Sequence, residues 1–254
     1  MRIRVLGCGP SSGVPRIGND WGECDPSDPR NRRTRTSILI ESNGQMLLVD
    51  CGPDLRQQLL LADVSIVDGV IVTHDHADHC HGIDDLRQVA ANKGAAVPIH
   101  ARDFVLAALK QRFSYVFQGS QLYSPTVEPD PIGEEMGWGA ARLRFVDQPH
   151  GHVQSLGIRA DENGRSMVYA IDFNDMTDDM ASLYEDADWW ICAVTPATNH
   201  LTHANLDSVL GWARDLRAGQ LLLTNLDKRL DYATLAARLP DWAAPAHDGL
   251  EMEI

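Results

Sequence analysis

The sequence predicts an α/β (α+β) fold in which two β-rich halves are each flanked by helices, and three observations predict it. An apolar run, Val70-Ile71-Val72-Thr73, stops abruptly in His74-Asp75-His76-Ala77-Asp78-His79, and several β-branched or apolar residues in a row read as a buried strand. Strand and helix patterns alternate around that run and alternate again in the second half of the chain. The 254 residues are 44% hydrophobic, enough for one sizeable core, so residues 1–254 are expected to form a single domain.

In order along the chain, Arg2 to Gly7 alternate as an opening strand. Gly7 to Gly22 is rich in Gly, Pro and Ser and is expected to bend without regular structure; its backbone amides are candidates for holding a phosphate, although such loops usually only turn. Asp28 to Arg35 is the one dense basic cluster of the chain. Residues 37–42 and 45–50 form a hairpin whose turn signal is Asn43-Gly44. Asp54 to Ala62 reads as a helix, 68–73 as the histidine-bearing strand, and Asp84 to Asn92 as a helix ending near Gly94. Val97 to His100 is a short strand, with His100 at the core or a sheet edge, and 102–112 is a helix.

Phe113 to Gly139 has little period and reads as a long irregular connection, a lid or a substrate wall. Its Tyr115, Phe117, Tyr123 and Trp138 either stack on a flat group of the substrate or pin the loop itself. Beyond it, strands are expected near 141–147, 154–160, 166–171, 188–194 and 219–224, with helices near 177–186, 204–217 and 231–239.

Bulk composition narrows the function. A formal charge of −14 argues against a nucleic-acid surface, which needs clustered Lys and Arg. Bound divalent cations would offset negative charge locally, so a small anionic substrate stays open. The five cysteines are scattered and lack a Cys-x-x-Cys pair, so neither a disulfide framework nor a thiolate zinc site is indicated. With no signal peptide and no apolar run approaching 18 residues, no membrane partner is expected and the cytoplasm is the default. A homodimer is compatible with the sequence.

The histidine run carries the chemistry. His74 and His76 are two apart, so in an extended segment both rings lie on one side and can bind one ion. Asp78 and His79 lie past the turn and can reach a second ion. Imidazole and carboxylate suit Zn, Mn or Fe.

His-x-His-x-Asp-His preceded by Thr73 resembles the signature of the metallo-β-lactamase superfamily. So does Leu47-Leu48-Val49-Asp50-Cys51-Gly52-Pro53, a strand ending in Asp-x-Gly. The runs Asp54-Leu55-Arg56-Gln57-Gln58 and His81-Gly82-Ile83-Asp84-Asp85-Leu86-Arg87 resemble the PhnP-like branch, the phosphoribosyl cyclic-phosphate phosphodiesterases. The resemblance implies a four-layer αββα sandwich with the site at the edge between the sheets. It implies two divalent metal ions, Mn or Zn, and assigns Asp50 to supporting the metal-bearing loop.

It implies further ligands. His150, in Gln148-Pro149-His150-Gly151-His152, matches the third histidine, with His152 as runner-up. Asp172, closing Tyr169-Ala170-Ile171, matches the bridging carboxylate, while Asp175 reads as a turn or cap residue. Where relatives place a last histidine, this chain has Asn225, whose amide oxygen is a weaker ligand for Zn and a better one for Mn or Mg; Asp227 is a substitute two residues on. The second ion is therefore expected to bind less tightly. His203, in Asn199-His200-Leu201-Thr202-His203, matches a phosphate-contacting histidine that protonates the leaving group; His200 is the weaker match, and His247 stands where relatives often carry an aromatic. The cysteine-rich zinc loop of several relatives is not carried over, because only Cys24 stands in that stretch. Arg33 and Arg35 of the basic cluster are expected to grip an anionic group.

The expected function is that of a metal-dependent hydrolase, a phosphodiesterase acting on a small or cyclic phosphate, with Asp78 or Asp172 orienting the water and His203 supplying a proton. The alternatives are a thioester or ester hydrolase of the glyoxalase-II type and a degenerate metal-binding fold without turnover.

Overall fold

The computed structural model describes residues 1–196 and 200–254. In chain order it forms β1 (Arg2–Gly7), β2 (Ser37–Ser42), β3 (Gln45–Val49), α1 (Leu55–Ala62), β4 (Gly69–Ile71), α2 (Ala77–Cys80), α3 (Leu86–Lys93), β5 (Val97–Ala101), α4 (Asp103–Arg112) and α5 (Ser114–Gln118). Then follow β6 (Val127–Pro131), β7 (Glu135–Trp138), β8 (Ala141–His150), β9 (Val153–Glu162), β10 (Arg165–Ala170), α6 (Asp178–Tyr184), β11 (Trp189–Ala193), α7 (Leu206–Asp215), β12 (Gln220–Thr224), α8 (Tyr232–Ala236), β13 (Ala243–Pro245) and β14 (Glu251–Glu253).

These strands make two seven-stranded sheets, ordered β14-β1-β2-β3-β4-β5-β6 and β13-β12-β11-β10-β9-β8-β7. Each sheet is antiparallel at one end and parallel at the other: β1, β2 and β3 pair antiparallel before β4, β5 and β6 run parallel, and β7 to β10 pair antiparallel before β11, β12 and β13 run parallel.

The two-residue period of a strand explains the layers. In β3, Leu47 and Val49 enter the core between the sheets while Leu48 enters the core under α1, α3 and α4. In β10, Met167 and Tyr169 face the inter-sheet core while Val168 and Ala170 face α6 and α7. Strands buried on both faces read as unbroken apolar runs rather than alternating ones, as these do. The result is helix, sheet, sheet, helix, the expected αββα sandwich.

The hairpin turn is as expected, with Asn43 and Gly44 at φ of 50° and 77° and Ser42 opposite Gln45. The stretch from Phe113 to Gly139 differs from its expectation: it holds α5, β6 and β7 and carries the chain from one sheet to the other. Val127-Glu128-Pro129-Asp130-Pro131 resembles a breaker, but β6 is an edge strand and needs no ladder donors on its outer side. Trp138 is buried in the inter-sheet core, 5.8 Å from the His100 ring, and Phe117 packs on the helix-side core. Tyr115 and Tyr123 are exposed, so none of the four aromatics forms a wall of the metal cleft. Among the described residues no helix is long and apolar enough to cross a membrane.

Candidate metal centre

Three strand ends turn their last side chains to one place. Asp50 follows β3, Asp172 follows β10 by two residues, and Asn225 follows β12; their φ angles are 64°, 51° and 58°. Asp and Asn tolerate this left-handed region best among residues with a Cβ, and such conformations gather at functional sites. The metal-bearing loop leaves β4 and lies against the turn after β3, with Cys51 N donating to His79 O at 2.9 Å. A Cβ at Gly52 would stand 2.1 Å from Asp78 O, so the Asp-x-Gly glycine is what permits that approach.

Asp50 is fully buried and orders the loop from behind. It accepts from Thr73 N (2.8 Å), Thr73 Oγ1 (2.9 Å) and His79 Nδ1 (2.6 Å). Because the Thr73 hydroxyl proton goes to a carboxylate, its oxygen can only accept from His74 Nδ1 at 3.0 Å. His150 Nδ1 donates to Thr202 O at 2.7 Å. In His74, His79 and His150 alike, Nδ1 is held by the protein and Nε2 faces the cleft, where His74 Nε2 also lies 3.0 Å from His76 Nδ1, the arrangement that prepares an imidazole to ligate.

The Nε2 atoms converge on one carboxylate. Asp172 Oδ2 lies 3.1 Å from His79 Nε2, 3.4 Å from His74 Nε2 and 3.9 Å from His150 Nε2. Two groups result, His74, His76, His150 with Asp172, and Asp78, His79 with Asp172, and within each the ligand atoms lie no more than 4.8 Å apart. Asp172 is common to both. Its Oδ1 faces the other way, toward Asn225 Nδ2 (3.0 Å) and His203 Nδ1 (3.5 Å).

The charges ask for a cation here. Burial pulls His79 down, but the Asp50 and Asp172 carboxylates more than offset it and hold the imidazole well above its ordinary value. Burial pushes Asp172 up, and His79 and His74 outweigh it, leaving the carboxyl well below the usual range. Burial keeps His74, His76 and His150 below their ordinary value, so they are neutral near pH 7 and can ligate. Imidazole lone pairs and ionised carboxylates pointed at one another fit divalent metal, and the donor set is nitrogen-rich in the first group and oxygen-rich in the second.

The structure brings together His74, His76, Asp78, His79, His150, Asp172 and His203, with Asp50 behind them. Of the two alternatives, His150 is in the cluster, while His152 is exposed and outside it. Asn225 reaches the centre with its Nδ2 donating to Asp172 Oδ1 at 3.0 Å. Asp227 lies outside both groups of candidate ligands, and Arg229 N (2.7 Å) and Nη2 (2.8 Å) donate to its carboxylate. His200 lines the cleft beside His203, with ring centroids 4.9 Å apart, whereas His247 packs on Tyr232. Asn199, at the start of that motif, lies outside the described residues.

The basic cluster corrects the sequence reading. Arg33 is 2% exposed, and its guanidinium donates to the carbonyls of Leu226 (3.2 Å), Asp227 (3.2 Å) and Leu230 (2.8 Å) and to Asn31 Oδ1 (2.9 Å). Arg35 pairs with Asp54 at 3.0 Å and donates to Ser11 O. Neither lines the cleft; both staple the first loop to the rest of the fold. We expect Arg33→Met to lower unfolding stability by about 3 kcal/mol, because buried carbonyls lose their donors, while phosphate affinity is retained. Chemical denaturation and phosphate titration check this; lost affinity at unchanged stability would reinstate the substrate role. The guanidiniums that do line the cleft are Arg16 and Arg229, which no motif in the sequence flags.

Comparison with known proteins agrees with this geometry. Residues 45–224 match the model of the beta-lactamase superfamily domain. A structure described as a new diphosphatase from the PhnP family superposes with a TM-score of 0.89 at 31% identity, over 99% of this chain and 97% of that one. Zinc-bound PqqB from Methylobacterium extorquens shares the fold, with a TM-score of 0.80 at 18% identity over the full length of both. An octanoyltransferase of Porphyromonas gingivalis is 36% identical over 183 residues, which are 69% of this chain but only 35% of that protein. The chain belongs to the metallo-β-lactamase superfamily, as a PhnP-like member.

Proposed function

We propose that this protein is a metal-dependent hydrolase that cleaves a small phosphodiester with an activated water. The observation that carries the reading is one buried carboxylate, Asp172, shared by two ligand groups at the floor of an open cleft of about 370 Å³. His74, His76, His150 and Asp172 would hold one ion, with zinc the better fit to three imidazoles. Asp78, His79 and Asp172 would hold a second, a smaller set that suits a harder ion such as manganese and binds it less tightly. Divalent ions, when bound there, supply Lewis acidity that makes water acidic and neutralises phosphoryl charge.

The chain's own residues do the rest. Asp78 and Asp172, held ionised and lining the cleft, accept hydrogen bonds and so orient an attacking water. Asn225 fixes the Asp172 carboxylate by donating to Oδ1. His203 faces the same space, its Nδ1 buried and without a hydrogen-bond partner among the described residues, ready to hold a proton for the departing oxygen. The cleft's size and the charge of −14 favour a small phosphorylated substrate over nucleic acid.

A second reading, hydrolysis of a phosphoanhydride, is favoured by the likeness to a PhnP-family diphosphatase. The test is turnover of bis(p-nitrophenyl) phosphate by protein loaded with manganese or zinc. We expect a rate at least about 10³-fold above the chelator-treated protein. Metal bound with no rate above buffer would favour a binding module, and preferential cleavage of a glutathione thioester would move the assignment to the glyoxalase-II type.

A further inference from the structure

A buried chain of polar side chains ends on the backbone of Asp172. We propose that Tyr184, Gln148 and Ser155 are positioning residues, a hydrogen-bonded strut that holds Asp172 in the conformation from which one carboxylate reaches both ligand groups. The inference rests on the reading of Asp172 as a shared metal ligand and is independent of which ester the site cleaves.

The strut runs from a helix through one sheet. Tyr184 closes α6, and its hydroxyl donates to Gln148 Oε1 at 2.8 Å. Gln148 lies on β8 directly opposite Ser155 of β9, and its Nε2 donates to Ser155 Oγ (2.9 Å) and to Ile171 O (2.9 Å). Ser155 Oγ lies 2.7 Å from Asp172 O and 3.1 Å from Ile171 O. All three residues are buried, at 1% exposure or less. The carbonyls they reach are the two just past the end of β10, where Asp172 takes its φ of 51°.

Donors and acceptors fix the direction of the chain. The end of the Gln148 amide beside Ile171 O must be the NH2, since two carbonyl oxygens share no proton. Its Oε1 therefore faces Tyr184, and only the phenol can supply the proton between them. Nε2 spends one proton on Ile171 O and the other on Ser155 Oγ. The single hydroxyl proton of Ser155 then goes to Asp172 O, the nearer of its two acceptors. No side-chain donor is left over, and each bond polarises the next.

The layer around the strut is apolar: Val146, Val168, Ala170 and Trp190 belong to the core under α6 and α7. Apolar side chains would fill that space without the cost of desolvating polar atoms. A Cβ on Gly157 would stand 1.7 Å from the Tyr184 hydroxyl, so a glycine is what admits it. The metal centre supplies the reason for keeping such a network. A left-handed conformation in a residue with a Cβ persists only where the surroundings over-determine it, and the strut does so from β8, β9 and α6 together. Gln148 also precedes His150 by two residues on the same face of β8, so the strut ties together two ligands of the first group.

Zinc affinity of the metal-free protein, measured by competition with a chromophoric chelator, reads the strut without turnover. Partners that orient metal ligands are worth about 10- to 100-fold in metal affinity, so we expect Ser155→Ala to raise the zinc dissociation constant about tenfold or more and Tyr184→Phe, further out along the chain, about threefold. In the double variant, Tyr184→Phe should add nothing to the zinc loss caused by Ser155→Ala, because the strut is already cut, yet it should lower the urea midpoint further. Ser166→Ala is the control. It removes a buried hydroxyl near the start of β10, 3.1 Å from Asp188 Oδ2, and should lower the midpoint without moving zinc affinity.

If the wild type binds zinc while Tyr184→Phe and Ser155→Ala lower only the midpoint, the strut is packing and the metal centre stands. Additive zinc losses in the double variant, or an equal loss in Ser166→Ala, would overturn the strut in the same way. A wild type that binds no zinc would remove the metal centre itself, and the role of the strut with it.

Discussion

His76→Ala and Asp172→Asn should each lower turnover of bis(p-nitrophenyl) phosphate by more than about 10³-fold, to the level of the chelated protein, but their effects on the fold should differ sharply. His76 is exposed, so its loss removes a ligand and little packing, and the metal-free variant should keep its stability to within about 0.5 kcal/mol. Asp172 is buried and faces His74, His79 and His150 within 3.9 Å. Neutralising it removes one of the three carboxylates within ion-pair distance of His79, leaving Asp50 (2.6 Å) and the less buried Asp78 (3.3 Å), and strips the buried imidazoles of their shared acceptor, which should cost the metal-free protein about 3 kcal/mol. Parallel calorimetry and metal analysis separate the two; retained activity in either variant would remove the assignment of the site.

The pH dependence follows from the same charges. His79 is raised, so its contribution to the metal-free fold is fully present below the ordinary histidine range and is lost as pH rises through the elevated value. Asp172 is lowered, so its contribution is present above the ordinary carboxylate range and is lost as pH falls through the depressed value. The metal-free protein should thus be most stable between them. An ion that takes His79 as a ligand must displace that proton, so affinity at the second group should rise about tenfold per pH unit while His79 stays protonated. The first group, with neutral imidazoles, should be nearly insensitive above neutrality.

How far the sequence speaks depends on whether a signal is local. His74, His76, Asp78 and His79 follow one another on a strand end, so their grouping is readable from period and spacing, whereas Asp172, which closes a distant apolar run, is joined to them in the sequence only by the family resemblance. His150 against His152 is not readable from spacing either, because the choice depends on Thr202 reaching Nδ1 from a different segment. Arg33 shows the limit of reading charge type: a guanidinium can be held inside by four acceptors, and nothing nearby in sequence announces Leu226, Asp227 and Leu230. The edge strands β6, β7, β13 and β14 escaped for a related reason. They are short and contain prolines, glycine or charges, and the partner strand defines them more than their own propensity does.

Replacing His203 should expose its part in the chemistry through the leaving group rather than through rate alone. Its Nδ1 has no hydrogen-bond partner among the described residues and lies 3.5 Å from Asp172 Oδ1, and its ring is 5.0 Å from that of His150. A group so placed either neutralises phosphate charge or passes a proton to the departing oxygen. p-Nitrophenolate leaves readily as an anion near neutral pH, whereas an alkoxide does not. If His203 donates the proton, His203→Asn should lower kcat for an alkyl diester by about 10²-fold or more and kcat for bis(p-nitrophenyl) phosphate only a few-fold. Burial holds His203 below its ordinary value despite Asp172. The protonated form therefore dwindles as pH rises through that lowered value, and the alkyl-ester rate should fall along the same limb, which the Asn variant should lack. Equal losses on both esters, appearing mainly in KM, would instead make His203 a phosphate-binding residue and leave the leaving oxygen to be protonated by solvent.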